Sequence, residues 1–182
     1  LTSTFEPVTA PWDLPPTRLP EEPPPPKSGL LAVDAGLRAG LARYGPDGRL
    51  LAYRSTNFGS VGRLRRGVHG VFRDQPGVGW VVVEGGGEVA EPWIREGERR
   101  GLKVRQVHAG IWRPTLLLPR HRRRGSDAKA EADVLARRVI EWSGAPRPTS
   151  LRHDAAEAIL IGLWGVLELG WLPELPREIA AR

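Results

Sequence analysis

The chain has no cysteine, and its four histidines stand far apart, at positions 69, 108, 121 and 153. The first absence excludes disulfides and thiolate-held metals. The second leaves no ready histidine cluster for zinc. No apolar run reaches the roughly 18 residues that a membrane span needs. The first residues lack the basic start and apolar middle of a secretory signal. A soluble intracellular protein is the expectation. Lysine is scarce too: beyond residue 28 only Lys103 and Lys129 remain.

What the chain does have is arginine. The net charge is +6, and residues 1–29 hold four acids and two bases, which leaves +8 on the remainder. Arginine presents a planar fork that suits phosphate, so a nucleic-acid partner gains weight. A GC-rich coding sequence would also raise Arg, Ala, Gly and Pro. At 182 residues there is room for one domain with a real core and a tail. Residues 1–28 hold nine of the 18 prolines, including the run Pro23 to Pro26. That excludes helix and central strand and predicts an extended arm or linker. Phe5 and Trp12 are its candidate anchors.

From residue 29 the pattern turns to strands. Leu30–Asp34 is a short apolar run that reads as a strand buried on both faces. Residues 39–44 and 49–55 come next as strands around the turn Gly45-Pro46-Asp47-Gly48, which makes a meander. Residues 57–72, rich in Arg and Gly, read as a weak helix or an irregular loop. Gly79–Glu84 is a short, central strand. A helix over 88–100 and a strand over 102–107 complete a strand–helix–strand unit, which implies a parallel pair with a right-handed crossover. Ser126 is the expected N-cap of a helix through Trp142. Residues 153–169 are apolar nearly all round and should form a buried helix. Pro173 and Pro176 break up the last dozen residues.

Four carboxylates stand out. Asp34 and Glu84 each end an apolar strand, on strands expected to be parallel neighbours. Asp154 and Glu157 share one face at the start of the buried helix. Singly, Asp34 before Ala35-Gly36 reads as a turn residue, and Asp154-x-x-Glu157 has the spacing of a capping box. Glu84 resists such a reading, because a carboxylate ending a central apolar strand needs compensation that a glycine loop does not supply. Taken together, four oxygen donors without His or Cys suit Mg²⁺ or Mn²⁺. Two such ions can drive phosphodiester cleavage. Gly85, Gly86 and Gly87 would let a phosphate backbone come close.

The order and spacing of LLAVDAG (Asp34), VVVEGG (Glu84), RGSDAKAEADVLARRV (Gly125, Lys129) and HDAAEAILIGLWG (Asp154, Glu157) resemble the RuvC-type Holliday junction resolvases of the ribonuclease H-like superfamily. The likeness covers about residues 29–170, a nuclease domain between the proline-rich arm of 1–28 and a C-terminal tail of 171–182. Two departures are visible: Ala35 stands where the family commonly has Pro, and Glu157 replaces the second Asp of its D-A-A-D-A segment. The resemblance implies an α/β, ribonuclease H-like fold with a mixed five-stranded sheet in order 3-2-1-4-5 flanked by helices. It implies a Mg²⁺- or Mn²⁺-dependent homodimeric endonuclease that cuts two opposed strands of a four-way DNA junction and leaves 5′-phosphates. It would work in the cytoplasm with the nucleoid, or in an organelle. Asp34, Glu84, Asp154 and Glu157 would hold the metals, with Asp34 shared, and His153 would orient the attacking water or assist a metal. Lys129, Arg113 and the run Arg120, Arg122, Arg123 and Arg124 would meet phosphates, with Arg63, Arg65 and Arg66 on the same surface. Phe58 and Phe72 read as core residues or as wedges into the junction. The same acids would serve cleavage of flaps or RNA-containing substrates, and the same fold serves modules that bind nucleic acid without cutting it.

Overall fold

The computed structural model describes residues 28–117 and 125–180. Strands β1 (Gly29–Asp34), β2 (Arg38–Tyr44) and β3 (Leu50–Asn57) form the expected antiparallel meander. Helix α1 (Val61–Arg73) leads to β4 (Val78–Glu84), which pairs parallel with β1. Helix α2 (Gly87–Arg99) leads to β5 (Lys103–Val107), parallel to β4. The sheet order is β3-β2-β1-β4-β5, as the resemblance implied. Helices α3 (Ala109–Leu116), α4 (Gly125–Ser143), α5 (His153–Glu168) and α6 (Arg177–Ala180) complete the chain.

Alternation along the strands divides the core in two. Leu31, Val33, Val81 and Val83 point to one face and pack with α1 and α2 around Trp93. Leu30, Ala32, Trp80 and Val82 point to the other and pack with α3 to α6. α5 is buried from Asp154 to Val166 because it lies between the sheet and α4. It comes unusually close to the strands. A Cβ on Gly162 would stand 2.2 Å from the Tyr44 ring, and one on Gly165 would stand 2.9 Å from Leu30.

Residues 57–72 differ from their expectation. Most of them form a regular helix of 13 residues, α1. Ser60 caps it by accepting from the Arg63 amide, and Leu64, Val68, Val71 and Phe72 make one buried stripe. The glycines and arginines occupy the rest of the helix surface, which hid that stripe. Phe58 and Phe72 are core residues packed on Trp93 at 6.0 and 6.2 Å between ring centroids, which removes them as wedges. α3 was not expected, since Pro114 lies inside it. Pro114 is tolerable because the helix is short, and His108 caps its start by accepting from the Gly110 amide. Ser126 lies inside α4 rather than before it. Ile179 of α6 is fully buried against the domain, where its carbonyl accepts from Arg138.

Candidate active site

One row of paired residues crosses the whole sheet at its β1 and β4 carboxyl ends: Ser55, Gly40, Asp34, Glu84 and Val107. Alternation carries all five to the face that α5 covers. Asp34 and Glu84 are therefore side by side because β1 and β4 are parallel and in register. Gly40 leaves a gap in the row, and α5 begins in that gap. A Cβ there would stand 1.8 Å from the Asp154 carbonyl oxygen. The helix start is thus seated on the strand next to Asp34, which brings Asp154 and Glu157 to the two strand-end acids.

The capping-box alternative for Asp154 does not describe this helix. The cap position is Arg152, without a side-chain cap bond, and Asp154 lies in the first turn. Its Oδ2 accepts from Ser55 Oγ at 2.5 Å and its Oδ1 from the Ala155 amide at 3.0 Å. Both helix acids are buried, Asp154 to 9 % exposure and Glu157 to 5 %. A helix of this kind has no structural need to sink two carboxylates into a sheet.

The other acids are engaged as well. Trp112, fully buried on α3, donates its indole N–H to Glu84 Oε2 at 2.7 Å. Its neighbour Arg113 donates Nη2 to Glu157 Oε2, also at 2.7 Å. His153 Nε2 lies 3.7 Å from the second Glu157 oxygen, with its side chain 44 % exposed. Burial pushes the Asp34 carboxyl up to about 7, and the charges of Glu84, Glu157 and Asp154 push the same way; Arg113 opposes them. Glu84 is also raised, first by burial, while the Trp112 hydrogen bond pulls it down.

The glycines after Glu84 have separable reasons. Gly85 has φ +120° and Gly87 has φ +58°, conformations that side chains rarely adopt. Gly86 is extended, and a Cβ on it would meet open space. It is the one whose bareness no neighbour in the domain demands.

Among the described residues, no group of three or more His, Asp or Glu side chains stands ready to hold a metal ion. Asp154, Glu84 and Glu157 are turned toward Ser55, Trp112 and Arg113 instead. The donor set nonetheless fits a hard divalent cation. It consists of carboxylate oxygens, it is largely withdrawn from water, and Arg113 is the guanidinium paired with it. Burial first, and then the three neighbouring carboxylates, raise the Asp34 carboxyl to about 7, and a bound cation would offset both effects.

The remaining expected site residues are more dispersed. Arg63, Arg65 and Arg66 are exposed on α1, which lies on the opposite face of the sheet from α5. Lys129 lies on α4, and its side chain is outside the described residues, as are Arg120, Arg122, Arg123 and Arg124. Ser55 was missed altogether. Its signal was the sheet register, which residue types alone do not reveal.

The chain has an α/β, ribonuclease H-like fold, with acids gathered at the carboxyl ends of its first and fourth strands. No family model and no curated protein matches the chain. Solved structures do. RuvC of Thermus thermophilus superposes with a TM-score of 0.52 at 19 % identity, over 78 % of this chain and 96 % of that one. The yeast mitochondrial Holliday junction resolvase Ydc2 superposes with a TM-score of 0.50 at 10 % identity, over 86 % of each chain. The resemblance to RuvC-type resolvases read from the sequence is thus matched by a likeness of fold. Among the described residues, no helix is long and apolar enough to cross a membrane.

Proposed function

We propose that this protein is a metal-dependent endonuclease that resolves four-way DNA junctions as a homodimer, in a nucleoid or an organelle. The observation that carries this reading is the meeting of Asp34, Glu84, Asp154 and Glu157, from two strands and a helix, in one largely buried place. The fold it shares with RuvC and Ydc2 supports the choice of substrate.

In this reading the four acids would hold Mg²⁺ or Mn²⁺, with Asp34 as a shared ligand. When bound, such ions lower the pKa of a water and stabilise the departing oxygen. The residues of the chain do the rest. Glu84 and Asp34 share one register row, so their carboxylates bind without a loop to order first. His153, half exposed at the start of α5, orients the attacking water and accepts its proton. The water oxygen bonds to phosphorus, the bond to the 3′ oxygen breaks, and the 5′-phosphate remains on the other fragment. Lys129, Arg113 and the arginines of 120–124 hold the flanking phosphates.

The test is cleavage of a labelled four-way junction beside matched duplex, flap and RNA–DNA hybrid, with Mg²⁺, Mn²⁺ or EDTA. Paired symmetric cuts confined to the junction, and lost in EDTA, are expected. Cuts in the flap or hybrid alone would move the substrate. Tight binding without cleavage would reduce the chain to a binding module. A second expectation concerns the basic run: Arg122→Ala with Arg123→Ala weakens junction binding and lowers the slope of log affinity against log salt by about 2. An unchanged slope, measured by fluorescence anisotropy, would place that run away from DNA.

A further inference from the structure

α3 sends two adjacent side chains to two different acids of the site. Trp112 reaches Glu84, and Arg113 reaches Glu157, each at 2.7 Å. The two donors differ in chemistry. Trp112 is fully buried and neutral, and its indole can donate but not accept. It fixes one oxygen of Glu84 and leaves the other free, while carrying no charge that would repel a cation. Arg113 is charged, its side chain is 34 % exposed, and its guanidinium lies 5.2 Å from the Trp112 ring. It neutralises the most buried acid of the group. Its Nε is buried without a hydrogen-bond partner, so the Glu157 contact leaves this arginine incompletely satisfied.

We propose that α3 is a paired control on cation entry: Trp112 is a positioning residue that presents Glu84 to the cation, and Arg113 is a placeholder that occupies Glu157 until the cation displaces it. This deepens the nuclease reading and rests on it. A hydrogen bond to the far oxygen of a ligating carboxylate orients it and raises metal affinity, typically 10–100-fold. A cation on the same carboxylate must be driven off first, at a cost in affinity. Adjacent residues on one helix should therefore have opposite effects on metal binding. A merely structural role for α3 would move both in the same direction.

The experiment is calorimetric titration of the full chain with Mn²⁺, without DNA, for the wild type, Trp112→Phe, Arg113→Gln and Asp34→Asn. Trp112→Phe keeps an aromatic ring in the core and removes the donor. It is expected to bind Mn²⁺ about 10–100-fold more weakly. Arg113→Gln is expected to bind about tenfold more tightly, because a positive charge has left the neighbourhood. A second readout needs no variant to fold. In the wild type, Mg²⁺ should shift the Trp112 indole N–H resonance more than those of the other six tryptophans. Wild-type affinity in both α3 variants, with Asp34→Asn impaired, would overturn the proposal and leave the nuclease reading standing. So would changes of the same sign in both, or a Trp112 resonance that Mg²⁺ leaves in place. If neither the wild type nor Asp34→Asn binds Mn²⁺, the nuclease reading falls, and this proposal with it.

Discussion

Replacing Asp34 with Asn is expected to abolish cleavage and to stabilise the metal-free protein, two effects of opposite sign from one atom. The loss comes from removing the carboxylate that all three other acids face. Metal stabilisation of a phosphodiester transition state contributes several kcal/mol, so the fall is on the order of 10³-fold or more. Junction affinity should stay level or rise slightly, since one fewer negative charge stands near phosphate. The gain comes from burial. Asp34 ionises at about 7 in the fold against 3.8 for the free side chain. Between those values the folded state holds a proton that the unfolded state has released, so the Asp34 contribution to stability falls as pH rises through that window. Asn cannot ionise. Its melting temperature should exceed that of the wild type at and above pH 7, and the difference should vanish near pH 4. Thermal melts across that range in EDTA decide the point. A variant that is less stable at pH 8 would show that Asp34 is not held against its charge.

Gly40→Ala is expected to damage fold and site together. The new Cβ meets the Asp154 carbonyl at 1.8 Å, backbone against backbone, and no rotamer relieves it. The start of α5 has to lift from β2. Overpacking of this kind costs about 3 kcal/mol at the upper end of its usual range, or roughly 6–12 °C in a domain of this size. Lifting Asp154 also pulls it from Ser55, on the strand beside Gly40. A displacement of about 1 Å at a reacting centre can cost 10²-fold in rate. The control is Gly86→Ala, whose Cβ meets nothing and which should leave the melting temperature nearly unchanged. Equal melting curves for the two variants would refute the seating of α5 on Gly40.

The strands and their acids were legible because each announces itself locally. Leu30–Val33 and Val81–Val83 are apolar runs too short for helices, each closed by one acid before a glycine-bearing turn. The buried α5 was legible from its lack of a polar face. What could not be read were the relations between strands. Ser55 looks like any polar residue at a strand end until the register sets it two strands from Asp34. Gly40 looks like a weak point in β2 until α5 is laid over it. Trp112 looks like any core aromatic in the sequence, and its partner Glu84 lies 28 positions away. Arg113 was expected by resemblance to meet phosphate, and the fold pairs it with Glu157.

Tyr44 sits two turns down α5 from the acids, in the notch left by Gly162, with its hydroxyl donating to the Ile159 carbonyl at 2.6 Å. Burial holds its phenol well above the ordinary tyrosine range, so that donor stays protonated at every working pH. The pair acts as a detent: the ring stops the helix from sliding along the strands, and the hydroxyl stops it from rolling. The reach from helix acid to strand acid is therefore gauged by a part sealed inside the core. Wear at that part, as in Tyr44→Phe, should loosen the gauge and leave every acid in the chain intact.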